Sequence, residues 1–80
     1  MPYITAGQRT DLHADPSAAT PGELNYLFTD ALNIYRRVHG DSYTTFNDIL
    51  GALEGAKLEF YRRIVVPYEE KKCAENGDVY

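Results

Sequence analysis

Thr20-Pro21-Gly22-Glu23-Leu24-Asn25-Tyr26-Leu27-Phe28-Thr29-Asp30-Ala31-Leu32-Asn33-Ile34-Tyr35-Arg36-Arg37-Val38-His39-Gly40 decides the fold. Thr at the N-cap, Pro at the first helical position and Glu three residues after the cap form a capping box, so a helix starts at Pro21. Leu24, Leu27, Phe28, Ala31, Ile34, Tyr35 and Val38 then recur at spacings of three and four until Gly40 supplies a stop. The pattern predicts a helix over 21–39. Beyond Gly40-Asp41-Ser42 the helical spacing resumes with Phe46, Ile49, Leu50, Leu53, Phe60, Tyr61 and Ile64, with Ser42 or Thr45 as N-cap, which predicts a second helix over 43–66. Pro67 has no N–H to donate to the turn before it, so the helix is expected to kink or break there. A third segment, 67–76, then ends at Asn76-Gly77, leaving a tail at 77–80. Upstream, Thr5 and Gln8 form a second capping box, which places a short helix over 6–13 in an N-terminal arm of residues 1–19. The expected fold is all-α: one domain built as an antiparallel helical hairpin with a short helical arm and a third segment broken at Pro67.

The chain has 80 residues, 44% of them hydrophobic and 25% charged, which fits one small globular domain. A chain this short buries only about 60 to 65% of its unfolded surface and leans on disulfides, metals or oligomerisation. A single cysteine, Cys73, excludes an internal disulfide. Cys73, His13 and His39 lack the spacing of zinc ligands, so neither a metal nor a cofactor is expected. Oligomerisation is the remaining reinforcement. Eight Lys and Arg against twelve Asp and Glu give a net charge of -4, which argues against nucleic acid as a partner. No apolar run is long enough to span a membrane, and Met1-Pro2-Tyr3-Ile4 lacks the charged start of a signal peptide. A cytoplasmic protein without a membrane partner is expected.

Projected at about 100° per residue, Phe46, Leu50, Leu53, Phe60, Ile64 and Tyr68 share a stripe with Lys57 near its centre. Leu58 and Val65 form a neighbouring edge roughly 100° away, with Tyr61 between, so the apolar arc is wider than one packed helix covers. The arm could cover it, or a second copy of the chain could; the small size of the domain favours the second copy. An ammonium on an apolar stripe must snorkel, pair with an acid, or meet a ligand or partner, which singles out Lys57.

Tyr35-Arg36-Arg37-Val38 and Tyr61-Arg62-Arg63-Ile64 are near-copies. In a hairpin they stand about 30 Å apart, so one subunit cannot converge them, whereas a twofold dimer could. Arginine beside tyrosine suits a phosphorylated aromatic small molecule, because guanidinium groups hold phosphate oxygens while a phenol ring stacks on a base. In the plainer case the arginines lie on a solvated helix face and pair with Glu59. Asp11-Leu12-His13-Ala14-Asp15 lacks the fixed positions of a calcium loop and reads as a surface turn. Cys73, beside Lys71 and Lys72, has no evident catalytic partner. No phosphate loop, nucleophile elbow or zinc-hydrolase helix occurs, so an enzyme is not expected.

The C-terminal half carries the most specific residues: Leu58-Glu59-Phe60-Tyr61-Arg62-Arg63, Pro67-Tyr68-Glu69, Lys72 and Glu75-Asn76-Gly77-Asp78-Val79-Tyr80. With Met1-Pro2-Tyr3-Ile4-Thr5 and Thr20-Pro21-Gly22-Glu23-Leu24-Asn25-Tyr26, they resemble a family of uncharacterised proteins of this size from bacteria, prophages and tailed phages. The resemblance spans nearly the whole chain, is strongest over 51–80, and implies a phage-type setting rather than an activity. The tail either serves as a recognition element or folds back as a packed cap. Two functions follow as expectations: a non-enzymatic oligomer that sequesters a phosphorylated small molecule such as a nucleotide immune signal, or an inhibitor or adaptor that binds a host protein. The expected ligand site comprises Lys57, Tyr61, Arg62, Arg63, Tyr68, Lys72, Asn76, Asp78 and Tyr80, assembled between subunits.

Overall fold

The computed structural model describes residues 4–80, so Met1, Pro2 and Tyr3 of the expected arm lie outside the described residues. The fold is all-α, with no strand among the described residues. Helix α1 spans Ala6–Ala14, α2 spans Pro21–His39, and α3 spans Tyr43–Phe60. A π-helical segment, Tyr61–Val65, and a last helix, α4, Val66–Asn76, follow. The chain forms two compact units, residues 1–46 and 47–80. Antiparallel pairing of α2 with α3 would run between these units and stays an expectation.

The helix ends sit where local chemistry puts them. Thr5 caps α1 with a full box: its hydroxyl accepts from the Gln8 N–H at 3.1 Å, and the Gln8 side chain accepts from the Thr5 N–H at 2.7 Å. The Thr20 hydroxyl accepts from the Glu23 N–H, and Pro21 opens α2. Of the two candidate caps for α3, Ser42 is the one used, accepting from the Thr45 N–H at 3.1 Å. Gly40 at φ 83° and Gly77 at φ 85° close α2 and α4 in backbone that an L side chain strains to adopt.

In the first unit α1 packs on α2, and Ile4 and Leu12 are the buried apolar side chains among the described residues. Here the expected face of α2 needs correction. Leu27 is half-buried, but Leu24, Phe28, Ile34 and Val38 are exposed, because α1 covers only a narrow strip of α2 on the side of Tyr26, Leu27 and Asp30.

The third segment is not broken at Pro67. The backbone stays helical through Val65 (φ -70°, ψ -48°) and Val66 (φ -60°, ψ -50°). What changes is the hydrogen-bond register: the Val66 N–H reaches back five residues to the Tyr61 carbonyl. A proline ring inside an α-helix clashes with the carbonyl four residues back, here Arg63, and leaves one acceptor without its donor. Widening the preceding turn to admit one extra residue relieves that clash without ending the helix. The interruption falls in the turn before Pro67, as the missing donor requires, but as a π turn rather than a break.

Candidate functional site

The candidate residues lie along the π segment and α4. Tyr61, Arg62 and Arg63 occupy the first three positions of the π segment. Both arginines are held by one acid: Arg62 Nη2 donates to Glu59 Oε1 at 2.8 Å, and Arg63 Nε donates to Glu59 Oε2. The pairing with Glu59 that a solvated helix face predicts is therefore present. Each pair is well exposed, and such pairs contribute at most about 1 kcal/mol. Lys57 stands one turn earlier with its Nζ 3.8 Å from Glu54 Oε1 and its side chain 74% exposed.

Further along, Lys72 connects two neighbours: its Nζ lies 5.5 Å from the centre of the Tyr68 ring and 3.4 Å from Glu75 Oε2. Lys72, Asn76, Asp78 and Tyr80 line one open depression of about 330 Å³ together with Glu69 and Cys73. A neighbouring depression of about 380 Å³ adds Glu70 and Val66. These surfaces hold more carboxylates than amines, which opposes an anion. The tail turns back beside α4, where Asp78 and Tyr80 line both depressions, but it is not a packed cap. Val79 is 92% exposed and Tyr80 fully so, and the Tyr80 N–H donates to Asp78 Oδ1 at 2.8 Å.

The structure thus gathers Lys72, Asn76, Asp78 and Tyr80, with Tyr68 reached through Lys72. Lys57 and the Tyr61-Arg62-Arg63 run lie on earlier turns and line neither depression. The whole stretch is dominated by open apolar surface: Leu50, Leu53, Leu58, Phe60, Tyr61, Ile64 and Tyr68 are 38 to 64% exposed.

One cluster was not anticipated. In the first unit His13 Nε2 and the Tyr26 hydroxyl are hydrogen-bonded at 2.8 Å, and Asp30 Oδ2 lies 3.7 Å from the same nitrogen. Together with Leu12, Leu27, Ile34 and Arg37, His13 and Asp30 line a depression of about 450 Å³. The signal was the four-residue spacing of Tyr26 and Asp30, which sets both on one side of α2. Nothing local links that side to His13. The Asp11-to-Asp15 stretch is not the expected surface turn: Asp11 to Ala14 form the last turn of α1 with Leu12 buried, and only beyond it does the chain turn, where Asp15 Oδ1 accepts from the Ser17 N–H and hydroxyl. Among the described residues no group of three His, Cys, Asp or Glu side chains could hold a metal ion, and Cys73 is exposed and free.

A capped helical arm, a helix held by it and a π-interrupted rod with a Tyr-Arg-Arg step extend over nearly all of the sequence, and so does one family pattern, which matches residues 1–79. The chain belongs to the family described as Domain of unknown function (DUF6899). No curated protein and no solved structure matches it. Among the described residues no helix is long and apolar enough to cross a membrane.

Proposed function

We propose that this member of DUF6899 is a non-enzymatic protein-binding module, an adaptor or inhibitor that works in the cytoplasm of a bacterial host in a phage-type setting. The observation that supports it is the open apolar surface of residues 50–68, flanked by charged groups already paired along the helix. Contiguous exposed apolar surface rimmed by polar residues marks protein contact sites. Leu58 on the second apolar edge and Tyr61 between that edge and the stripe, with the exposed Tyr80 of the tail, supply the aromatic and aliphatic anchors that dominate such contacts. The test is affinity capture from a bacterial host lysate with the parent and with Leu58→Asp. One stoichiometric partner retained by the parent and lost by the variant supports the assignment; an identical set of bound proteins on both removes it.

Sequestration of a phosphorylated small molecule is the second function we propose. Its support is the position of Tyr61, Arg62 and Arg63 on a π turn, a feature common at functional sites. Glu59 engages one nitrogen of each guanidinium group, so a phosphate would compete with it or take the remaining donors, and further contacts would come from a second subunit. Melting curves with panels of nucleotides and cyclic dinucleotides test it, because a ligand bound only by the folded state raises the midpoint. No midpoint shift of the parent with any ligand tried rules this function out, and a shift unchanged by Arg62→Ala with Arg63→Ala removes the arginines from the site.

A further inference from the structure

Leu50, Leu53, Lys57, Phe60, Ile64 and Tyr68 are separated by three, four, three, four and four residues. The first five follow the heptad rule, with Leu50, Lys57 and Ile64 seven apart and Leu53 and Phe60 seven apart. Tyr68 arrives one residue late. The π segment from Tyr61 to Val65 admits one extra residue between Phe60 and Tyr68, so the lateness cancels and Tyr68 returns to the seam that Pro67 would otherwise occupy. The bulge therefore has a consequence beyond accommodating Pro67: it keeps one continuous seam.

Within that seam Lys57 stops being an anomaly. A single lysine at such a position, in an otherwise apolar heptad seam, fixes register and subunit number at some cost in stability. The flanks add an orientation. On the same heptad count, Glu54, Tyr61 and Glu69 border one side of the seam, while Ala56, Arg63 and Lys71 border the other. In a parallel pair each copy sets its first flank against the other's second, so Arg63 of each copy meets Glu69 of the other. In an antiparallel pair like flanks meet, acid against acid and base against base.

We propose that residues 50–68 are the seam of a parallel, in-register pairing with a second copy of this chain, and that Lys57 sets its register. The proposal deepens the protein-binding assignment and rests on it in one respect, that this surface takes up protein. It assigns the Leu50-to-Tyr68 seam to self-pairing and leaves the Leu58 edge and the tail for another partner.

Three variants of the full chain test it, with sedimentation equilibrium and cross-linking as readouts. Lys57→Ile replaces the one polar seam residue and is expected to tighten the association about tenfold or more and to raise subunit number. If Lys57 instead only projects into solvent, the substitution leaves the association unchanged and the proposal falls. In a Cys73→Ser background, Leu50→Cys and Ile64→Cys are each expected to form interchain disulfides alone, because equal positions meet in a parallel pair. Disulfides that form only when the two variants are mixed show antiparallel pairing and overturn the orientation. A parent chain that is helical by circular dichroism and monomeric at hundreds of micromolar overturns self-pairing altogether. The two levels separate cleanly: a monomer that still captures a partner through Leu58 leaves protein binding standing, and a dimer that captures none removes the adaptor function while the seam holds.

Discussion

The two units of the chain are stabilised in different ways. In the first, α1 is held on α2 by the buried Leu12, by the hydrogen bond of His13 to Tyr26 and by the approach of Asp30, contacts between residues far apart in sequence. In the second, Glu54 with Lys57, Glu59 with Arg62 and Arg63, and Lys72 with Glu75 run along the helix at spacings of three and four. Contacts of the second kind stabilise a helix by only a few tenths of a kcal/mol each. They leave its apolar side untouched. A long helix in water draws most of its stability from burying an amphipathic face, so the second unit has the stronger need of something outside itself.

The largest effect that would sharpen this contrast is expected from Leu12→Ala. Leu12 is 3% exposed, and truncating a buried leucine costs about 2 to 5 kcal/mol. With so little else buried in that unit, the arm should come off α2. Amide hydrogen exchange should show lost protection over residues 6–14 with residues 50–76 unchanged. Equal loss in both units would show that they unfold together and would break the contrast.

Pro67→Ala comes next. Alanine restores the missing donor and removes the ring clash, and in a helix interior this exchange is favourable by up to about 3 kcal/mol, less whatever the π turn already relieves. Protection around residues 61–68 should rise. The same change should close the π turn and rotate Tyr68 away from the line of Leu50, Lys57 and Ile64. A variant more helical yet less associated than the parent would therefore separate local helix stability from pairing. If helicity and association both rise, the π turn has no part in aligning the seam.

How far all this could be read from residues alone differs between the units in the same way. Caps and stops are local chemistry, so Thr5, Thr20, Ser42, Gly40 and Gly77 lie where the sequence places helix ends. The pairing of Arg62 and Arg63 with Glu59 was also legible, because it depends only on helical spacing. The contact of His13 with Tyr26 was not, since it joins residues thirteen apart across a turn whose path no periodicity specifies. The π turn was half legible. Pro67 announces an interruption in the preceding turn, but whether the chain breaks or inserts one residue depends on which side chains profit from staying aligned. For the candidate site, spacing brought Lys72 to Tyr68 and Asn76, while placing Lys57 and the arginines in one site with the tail required a second subunit.

Thr20→Ala probes the first unit more gently. Removing an N-cap hydroxyl that accepts from a backbone N–H costs about 0.5 to 2 kcal/mol, and Pro21 still favours the first turn of α2. Urea titration followed by far-UV circular dichroism should show a shifted midpoint at constant slope. A loss of slope instead would mean that α1 departs with the cap.

The smallest effect is expected from Glu59→Gln, and it bears most directly on the second unit. Glu59 serves two guanidinium groups through its two oxygens, yet the carboxylate is 54% exposed and both arginines are more so. Exposed pairs of this kind contribute about 0 to 1 kcal/mol and are screened by salt, with a Debye length of about 8 Å at physiological ionic strength. The substitution should therefore lower the melting midpoint by no more than a few degrees at low salt, and by less as salt is added. It also frees Arg62 and Arg63 without moving the backbone. If these arginines serve a phosphorylated ligand, Glu59→Gln should tighten binding of that ligand, because the anion no longer competes with a resident carboxylate. If they serve only the helix, the loss of stability is the whole effect and no nucleotide gains affinity. A stability loss well above the exposed-pair range would show that the Glu59 cluster is buried in solution, which would place Arg62 and Arg63 inside the contact with the second copy rather than at its margin.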